Sequence, residues 1–340
     1  MFRGVDEGDR DPPVSVVVRG QQNAVPRKPV VRSTPLIRVG IISNPRSHMN
    51  QRRERTLAVE EGVVFKRRPN SLAELHNALR SFAAERVDLL VIDGGDGTVR
   101  DVLSAATTIF PDGLPRLAIL PSGKTNALAI DLQMKPDTTL ADLMRAHREN
   151  RVVSRTAIDI LRDGQSQPSQ RGFLFGSGAF VRATELAQRV HRFGWFNGFA
   201  VGLSILWAVL QTIFGTAKNP WRIGERITYV KPDNSLTASD FYMILGSTLQ
   251  RLPLGIKPFG GIRPGLKFVS AKAPPRLLGV AMPQILWGST SAWLRKAGYA
   301  WFDTSVFRLS FRSNFILDGE RFPGGSILIR ESEPMEFVVP

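Results

Sequence analysis

Gly94-Gly95-Asp96-Gly97-Thr98 sets three glycines around a single carboxylate, directly after the run 87–92, in which only Asp88 is polar. Glycines at such a place let the backbone come close to a ligand. Beyond Thr98 the apolar residues Val99, Val102, Leu103 and Ala106 follow helical spacing, so the loop ends at a helix N-terminus. Amide hydrogens and the positive end of the helix dipole point outward there, which suits phosphate oxygens. A carboxylate among phosphate oxygens is repulsive unless a cation lies between them, so Asp96 implies a metal such as Mg²⁺. The stretch reads as a site for a metal–nucleotide complex. Its purely structural alternative is a glycine-rich turn with Asp96 capping the helix. Two better-known phosphate motifs are excluded. The 94–98 loop lacks the Gly-x-Gly-x-x-Gly spacing of a dinucleotide fold. Gly123-Lys124-Thr125 imitates the end of a P-loop, but the upstream glycine is replaced by Ala118, inside the apolar run 117–120.

The elements that must position this loop follow from the flanking pattern. Residues 36–42 read as a first strand ending in the turn Ser43-Asn44-Pro45. Ser71 begins a helix with a capping box through Glu74, and Leu72, Leu75, Leu79 and Phe82 form its expected buried face. The strand 87–92 leads into the glycine loop. A further strand, 117–120, ends at Pro121-Ser122-Gly123-Lys124-Thr125-Asn126. Strands ending in polar loops with helices between them predict a mostly parallel sheet, its ligand crevice at the carboxyl ends of the strands. From about Val152 the pattern changes. Short apolar segments at 157–161, 172–175, 226–230, 241–245, 266–270, 306–311 and 326–330 are separated by Gly, Pro, Asp and Asn. That predicts a β-sandwich following an α/β nucleotide-binding domain.

Composition narrows the function classes. The chain has 340 residues and no cysteine, which removes disulfides, thiolate metal sites and thiol catalysis. Its four histidines, at 48, 76, 147 and 191, show no metal-ligand spacing. A net charge of +15 implies an anionic partner such as a membrane surface, nucleic acid or a phosphorylated substrate. No recognition-helix, finger or RNA-stacking signature supports nucleic acid. Residues 1–35 carry five prolines, four acids and six bases without periodicity and read as a flexible tail, not a signal peptide. Residues 193–217 hold no charge but include Asn197, Ser204, Gln211 and Thr212 among the apolar side chains, so insertion into a bilayer is left open. A second uncharged run, 277–294, carries Trp287 and Trp293. With their flanking cations, both runs have the composition of membrane-interface segments.

Three separated motifs together resemble the diacylglycerol kinase catalytic family, which includes bacterial lipid kinases, sphingosine kinases and ceramide kinases, with NAD kinases as more distant relatives. They are Asn44-Pro45, Gly94-Gly95-Asp96-Gly97-Thr98 and Asp318-Gly319-Glu320. The resemblance spans residues 36–340. It implies a kinase domain at 36–150, joined by about 318–340, and a β-rich lipid-binding domain at 151–317. It implies ATP and Mg as cofactors, with nucleotide contacts from Asn44, Gly94, Gly95, Gly97 and Thr98, and from Ser122, Gly123, Lys124, Thr125 and Asn126 in the next loop. Metal contacts would come from Asp96, Asp159 and Asp318. Asp318 would be the general base for the acceptor hydroxyl, with Glu320 beside it on the metal side.

The chain departs from the family pattern in places. Ala127 stands where a second aspartate is usual, with Asp131 one turn on as a partial substitute, and Asp101 replaces a glutamate. Phe180 stands where sphingosine kinases carry a headgroup-binding aspartate, which favours an uncharged acceptor such as diacylglycerol or ceramide. Arg182, Arg189 and Arg192 follow as candidate phosphate contacts. The expected protein is a lipid kinase, peripheral on the cytoplasmic face of an anionic membrane, with a homodimer left open. The competing readings are a soluble NAD kinase-like enzyme and a binding module with weak turnover.

Overall fold

The computed structural model describes residues 36–44, 62–110, 113–192 (backbone only for 186–192), 222–230 and 235–340. Pro45, the tail and 193–217 lie outside them. Residues Leu36–Pro340 form one compact unit.

The first half alternates strands and helices: β1 (Ile37–Ser43), β2 (Gly62–Arg67), α1 (Leu72–Ala84), β3 (Leu89–Gly94), α2 (Asp96–Ile109), β4 (Arg116–Pro121), α3 (Ala127–Asp131), α4 (Leu140–Arg148) and β5 (Val152–Arg155). The sheet order is β2-β1-β3-β4-β17-β5, where β17 (Met335–Val338) closes the chain. Every pair is parallel except β5 against β17. β1 and β3 are covered on both faces, which is why they read as near-continuous apolar runs. One face packs α1 and α2 through Leu79, Phe82, Val102 and Leu103, and the other packs α4 through Leu143 and Met144. β1 lies between β2 and β3, so the connections leave in opposite directions and open a crevice at the carboxyl ends of β1 and β3. Ser71 caps α1 as expected, its hydroxyl accepting the Glu74 amide at 3.2 Å, but the Glu74 carboxylate takes the amide of Asn70, one residue before the cap. Leu72 departs from the expected buried face. It is exposed and lines the crevice instead.

The second half is antiparallel: β6 (Ile158–Arg162), β7 (Gln170–Gly172), β8 (Leu174–Gly178), β9 (Glu225–Val230), β10 (Leu236–Ser247), β11 (Lys267–Lys272), β12 (Tyr299–Asp303), β13 (Val306–Phe311), β14 (Phe315–Leu317), β15 (Glu320–Phe322) and β16 (Gly325–Glu331). The helix α5 (Ala179–Arg192) follows β8 directly. The double layer expected of a sandwich is made here by one curled sheet. β10 serves three partners, pairing β9 with its first half and β8 and β11 with its second, across a register shift between Phe241 and Met243. The curl encloses Phe175, Phe268, Phe307, Phe315, Leu309 and Ile329 in one aromatic-rich core. Asp131, considered above as a substitute for the carboxylate missing at 127, is committed elsewhere. It is fully buried, pairs with Arg155 at 2.6 Å, and accepts the amides of Gln250 and Arg251 at 2.7 Å each. It joins α3 to the loop after β10 and has no oxygen to spare.

Candidate active site

The strand ends are stitched before any ligand is considered. Asp93, the penultimate residue of β3, accepts the Ser43 hydroxyl from β1 at 2.7 Å and the Ser122 hydroxyl from the end of β4. Ser122 is therefore a lock between strands. Asn44 donates from Nδ2 to Thr98 Oγ1 at 2.8 Å, bridging the end of β1 to the first turn of α2. In the next loop, Asn126 closes a ring on Gly123, accepting its amide and donating to its carbonyl at 2.9 Å each. Lys124 and Thr125 are exposed at the tip of that loop.

The glycines divide into two kinds. A Cβ on Gly94 would meet Thr98 at 2.6 Å, and one on Gly95 would meet the Gly123 Cα at 2.9 Å. Gly94 makes room for Thr98 within its own loop, and Gly95 lets that loop touch the loop carrying Gly123. Gly97 has no such neighbour, since a Cβ there would meet only Arg100 Nη2 at 3.9 Å, and its φ is ordinary. Folding does not require a glycine at 97, in the first turn of a helix, where it costs stability. Beside the loop lies a cleft of about 220 Å³, bounded by Ile42, Asn44, Leu72, Leu75, Thr98 and Asp101.

Asp96 begins α2, and the amides of Asn126, Ala127 and Leu128 at the start of α3 point at its carboxylate. Burial raises its pKa while those amides oppose the rise. Asp318 comes from the other sheet. Asp318 and Gly319, at φ 46° and 79°, form the two-residue turn between β14 and β15, a geometry for which Asp-Gly is a favoured pair. The Asp318 carboxylate accepts the amides of Phe173 at 3.0 Å and Leu174 at 2.8 Å. Gly172 leaves it room, because a Cβ there would collide with Asp318 Oδ2. Burial pushes Asp318 up to about 7; the two amides oppose this, Asp96 adds a like-charge push, and Arg100 pulls downward.

Arg100 is the residue that the sequence reading missed. It is buried, one turn after Asp96 on α2. Its guanidinium donates to Asp101 at 2.7 Å and to the Leu317 carbonyl at 3.4 Å, and lies 5.5 Å from the centre of the Phe322 ring. The available signal was its spacing of four from Asp96, which puts both on one helix face. Asp101 is thereby the partner of Arg100.

The other expected residues lie as follows. Asp159 has both carboxylate oxygens held by Arg171, at 2.6 and 2.9 Å, with Arg330 at 3.5 Å. The structure does not join it to Asp96 and Asp318 as a metal donor. Glu320 is exposed at the start of β15. Arg182 donates to the Ile223 carbonyl at 2.9 Å, and the side chains of Arg189 and Arg192 lie outside the described residues. Among the described residues no three His, Asp or Glu side chains gather as a metal cage. The donor set that the geometry offers is the pair Asp96 and Asp318. Their mutual repulsion suits a divalent cation whose other ligands are phosphate and water, as Mg²⁺ prefers.

The fold is one of a parallel α/β sheet followed by a curled antiparallel sheet, with Asp96 from the first half and Asp318 from the second close enough to interact as like charges. Residues 38–156 match the model of the diacylglycerol kinase catalytic domain, which supports a lipid-kinase family for this part of the chain. Among solved structures the chain is similar to three chains from Bacillus anthracis str. Sterne, the first described as a diacylglycerol kinase and the other two as putative diacylglycerol kinases. The first is 13% identical with a TM-score of 0.59, covering 90% of this chain and 98% of its own. The second is 14% identical at 0.62, covering 91% and 98%. The third is 15% identical at 0.61, covering 90% and 98%. At these identities the likeness concerns the fold. No curated protein matches the chain.

Proposed function

We propose that this chain transfers the γ-phosphate of ATP to a hydroxyl of a neutral membrane lipid, diacylglycerol or ceramide. The observation that carries the reading is Asp318. It is a carboxylate held by a tight turn and two amides, raised to about 7, and coupled to Asp96 at the head of the glycine loop. Such a group is poised to take a proton near neutral pH. Asp318 accepts the proton of the acceptor hydroxyl as its oxygen attacks phosphorus. Arg100, behind both carboxylates, offsets the negative charge gathered there, and the amides at the α2 N-terminus face the phosphate oxygens. Mg–ATP, when bound, would supply the phosphoryl group and release ADP, and its Mg²⁺, which Asp96 and Asp318 would hold, would offset the negative charge of both carboxylates. An uncharged acceptor is supported by Phe180, whose ring packs on Gly176 of β8, the strand that pairs with the Asp318 hairpin.

The test is labelled-ATP transfer into mixed micelles of diacylglycerol, ceramide or sphingosine, with NAD as a soluble control. Wild type is compared with Asp96→Asn and Asp318→Asn. Transfer to one neutral lipid, lost in both variants, is expected. Phosphorylation of NAD, or transfer that survives Asp318→Asn, would overturn the proposal.

A further inference from the structure

Residues 241–302 contain no Asp or Glu, yet hold eight Lys and Arg. The same stretch concentrates exposed apolar side chains. Of the twelve large ones among the described residues, five fall between Leu254 and Trp287. Leu277, Val280 and Trp287 recur at near-helical spacing along the helix Leu278–Leu286, on the side where Pro283 is also exposed. Trp287 is 83% exposed and Leu254 97%. The amide of Lys257 donates to the Leu286 carbonyl at 2.7 Å, which ties the loop carrying Leu254 to the end of that helix. The indole nitrogens of Trp293 and Trp301 bond inward, to Gln284 at 3.2 Å and Pro258 at 2.9 Å, so those rings build the lobe while Trp287 stands out from it. Lys257, beside Gly288, and Arg276, next to Leu277, are exposed at the apolar face. Arg295 and Lys296 are exposed on the following helix, with Arg295 5.6 Å from the centre of the Trp301 ring.

An apolar stripe with a bare tryptophan and neighbouring cations has the chemistry of a surface that settles at a lipid headgroup layer. Apposing this face to itself in a second copy would bring cations against cations. We propose that the helix Leu278–Leu286 and the loop carrying Leu254 dock the protein on an anionic lipid bilayer. Trp287 and Leu254 enter the headgroup region, and the neighbouring cations face lipid phosphates. The purpose of this face rests on the lipid-kinase reading, but its chemistry does not.

The test is co-sedimentation of the full chain, without ATP, with vesicles of phosphatidylcholine alone or with phosphatidylglycerol added. The variants are Leu254→Ser with Trp287→Ser, and Lys257→Glu with Arg276→Glu, their folding checked by circular dichroism. Expected is binding that needs phosphatidylglycerol, weakened about tenfold by the apolar pair and made indifferent to lipid charge by the charge reversals. Wild type that fails to bind, or variants that bind as wild type does, would overturn the docking face. So would a dimer that the apolar pair breaks while vesicle binding is unchanged. Transfer to diacylglycerol in detergent micelles, run on the same preparations, reads the kinase separately. Its absence beside variant-sensitive vesicle binding sinks the catalytic reading and supports the docking face.

Discussion

In the proposed reaction, Asp318 has to be both uncomfortable and well held to act as a base. Its carboxyl sits at about 7 against an ordinary 3.8, so between those values the folded chain holds a proton that the unfolded chain has lost. The stability contributed by that proton is fully present below pH 4 and is lost as pH rises through 7. Asp318→Asn is therefore expected to lower turnover by about 10³-fold while stabilising the protein above pH 7 by up to about 4 kcal/mol. That gain should shrink on acidification towards pH 4. Asparagine tolerates the left-handed backbone of the turn, so the variant tests charge without disturbing shape. Chemical denaturation at pH 5 and pH 8 checks the sign, and equal stability of the two proteins at both values refutes it. Arg100 gives a linked prediction. Arg100→Met is expected to cost about 10²-fold in turnover. It should also move the acidic limb of the pH–activity profile slightly upward, because Arg100 adds to the pull of the Phe173 and Leu174 amides that lowers the Asp318 value. A profile that moves downward would contradict that role.

At the scale of elements, the glycine loop and the loop after β4 are one structure. Gly123→Ala forces a Cβ into the Gly95 backbone, where no flexible side chain can yield. A stability loss of about 2 kcal/mol is expected, together with loss of ATP binding. Gly97→Ala meets no obstacle. It should leave the fold unchanged or up to about 0.5 kcal/mol more stable, while raising the KM for ATP about tenfold by filling ligand space. Thermal melts beside ATP titrations separate the two. Equal effects of both substitutions on ATP binding, with equal effects on melting, would remove the distinction between packing glycine and ligand glycine. The stitch Ser43–Asp93–Ser122 belongs to this scale as well, since it holds three strand ends in register beneath the site.

At the scale of the whole molecule, one core runs through both sheets. Phe82 of α1, Leu103 of α2 and Phe337 of β17 belong to the same cluster as Val269, Leu278 and Tyr299 of the second half. Phe337, fully buried on β17, binds the last residues of the chain between β4 and β5. Calorimetry of the full chain is expected to show a single cooperative transition for residues 36–340, at which activity is also lost. Phe337→Ala should lower its stability by about 4 kcal/mol and still give one transition. Two resolved transitions, with activity lost in only one, would show that the sheets fold independently.

What the sequence determined by itself was local. Periodicity marked β1, β3, β4 and the face of α2 that carries Val99, Val102, Leu103 and Ala106. Short apolar segments bounded by Gly, Pro, Asp and Asn marked the antiparallel half, and residues 306–311 match β13 to the residue. These signals are legible because each element must bury its own stripe or face, and that requirement is written in consecutive residues. Strand β2, short and only half-buried, left no such mark. The site was legible as motifs but not as an arrangement. Asp159 and Asp131 look like available carboxylates in the sequence, and only the fold brings Arg171 to one and Arg155 to the other. Arg100 looks like a surface charge until Leu317, 217 residues away, closes over it. Asp318 acquires its raised pKa from burial and from Asp96, neither of which a turn signal contains. Burial and charge coupling are long-range quantities that fall off with distance in space, not along the chain. That is why the tertiary structure alone decided which carboxylates are free to act.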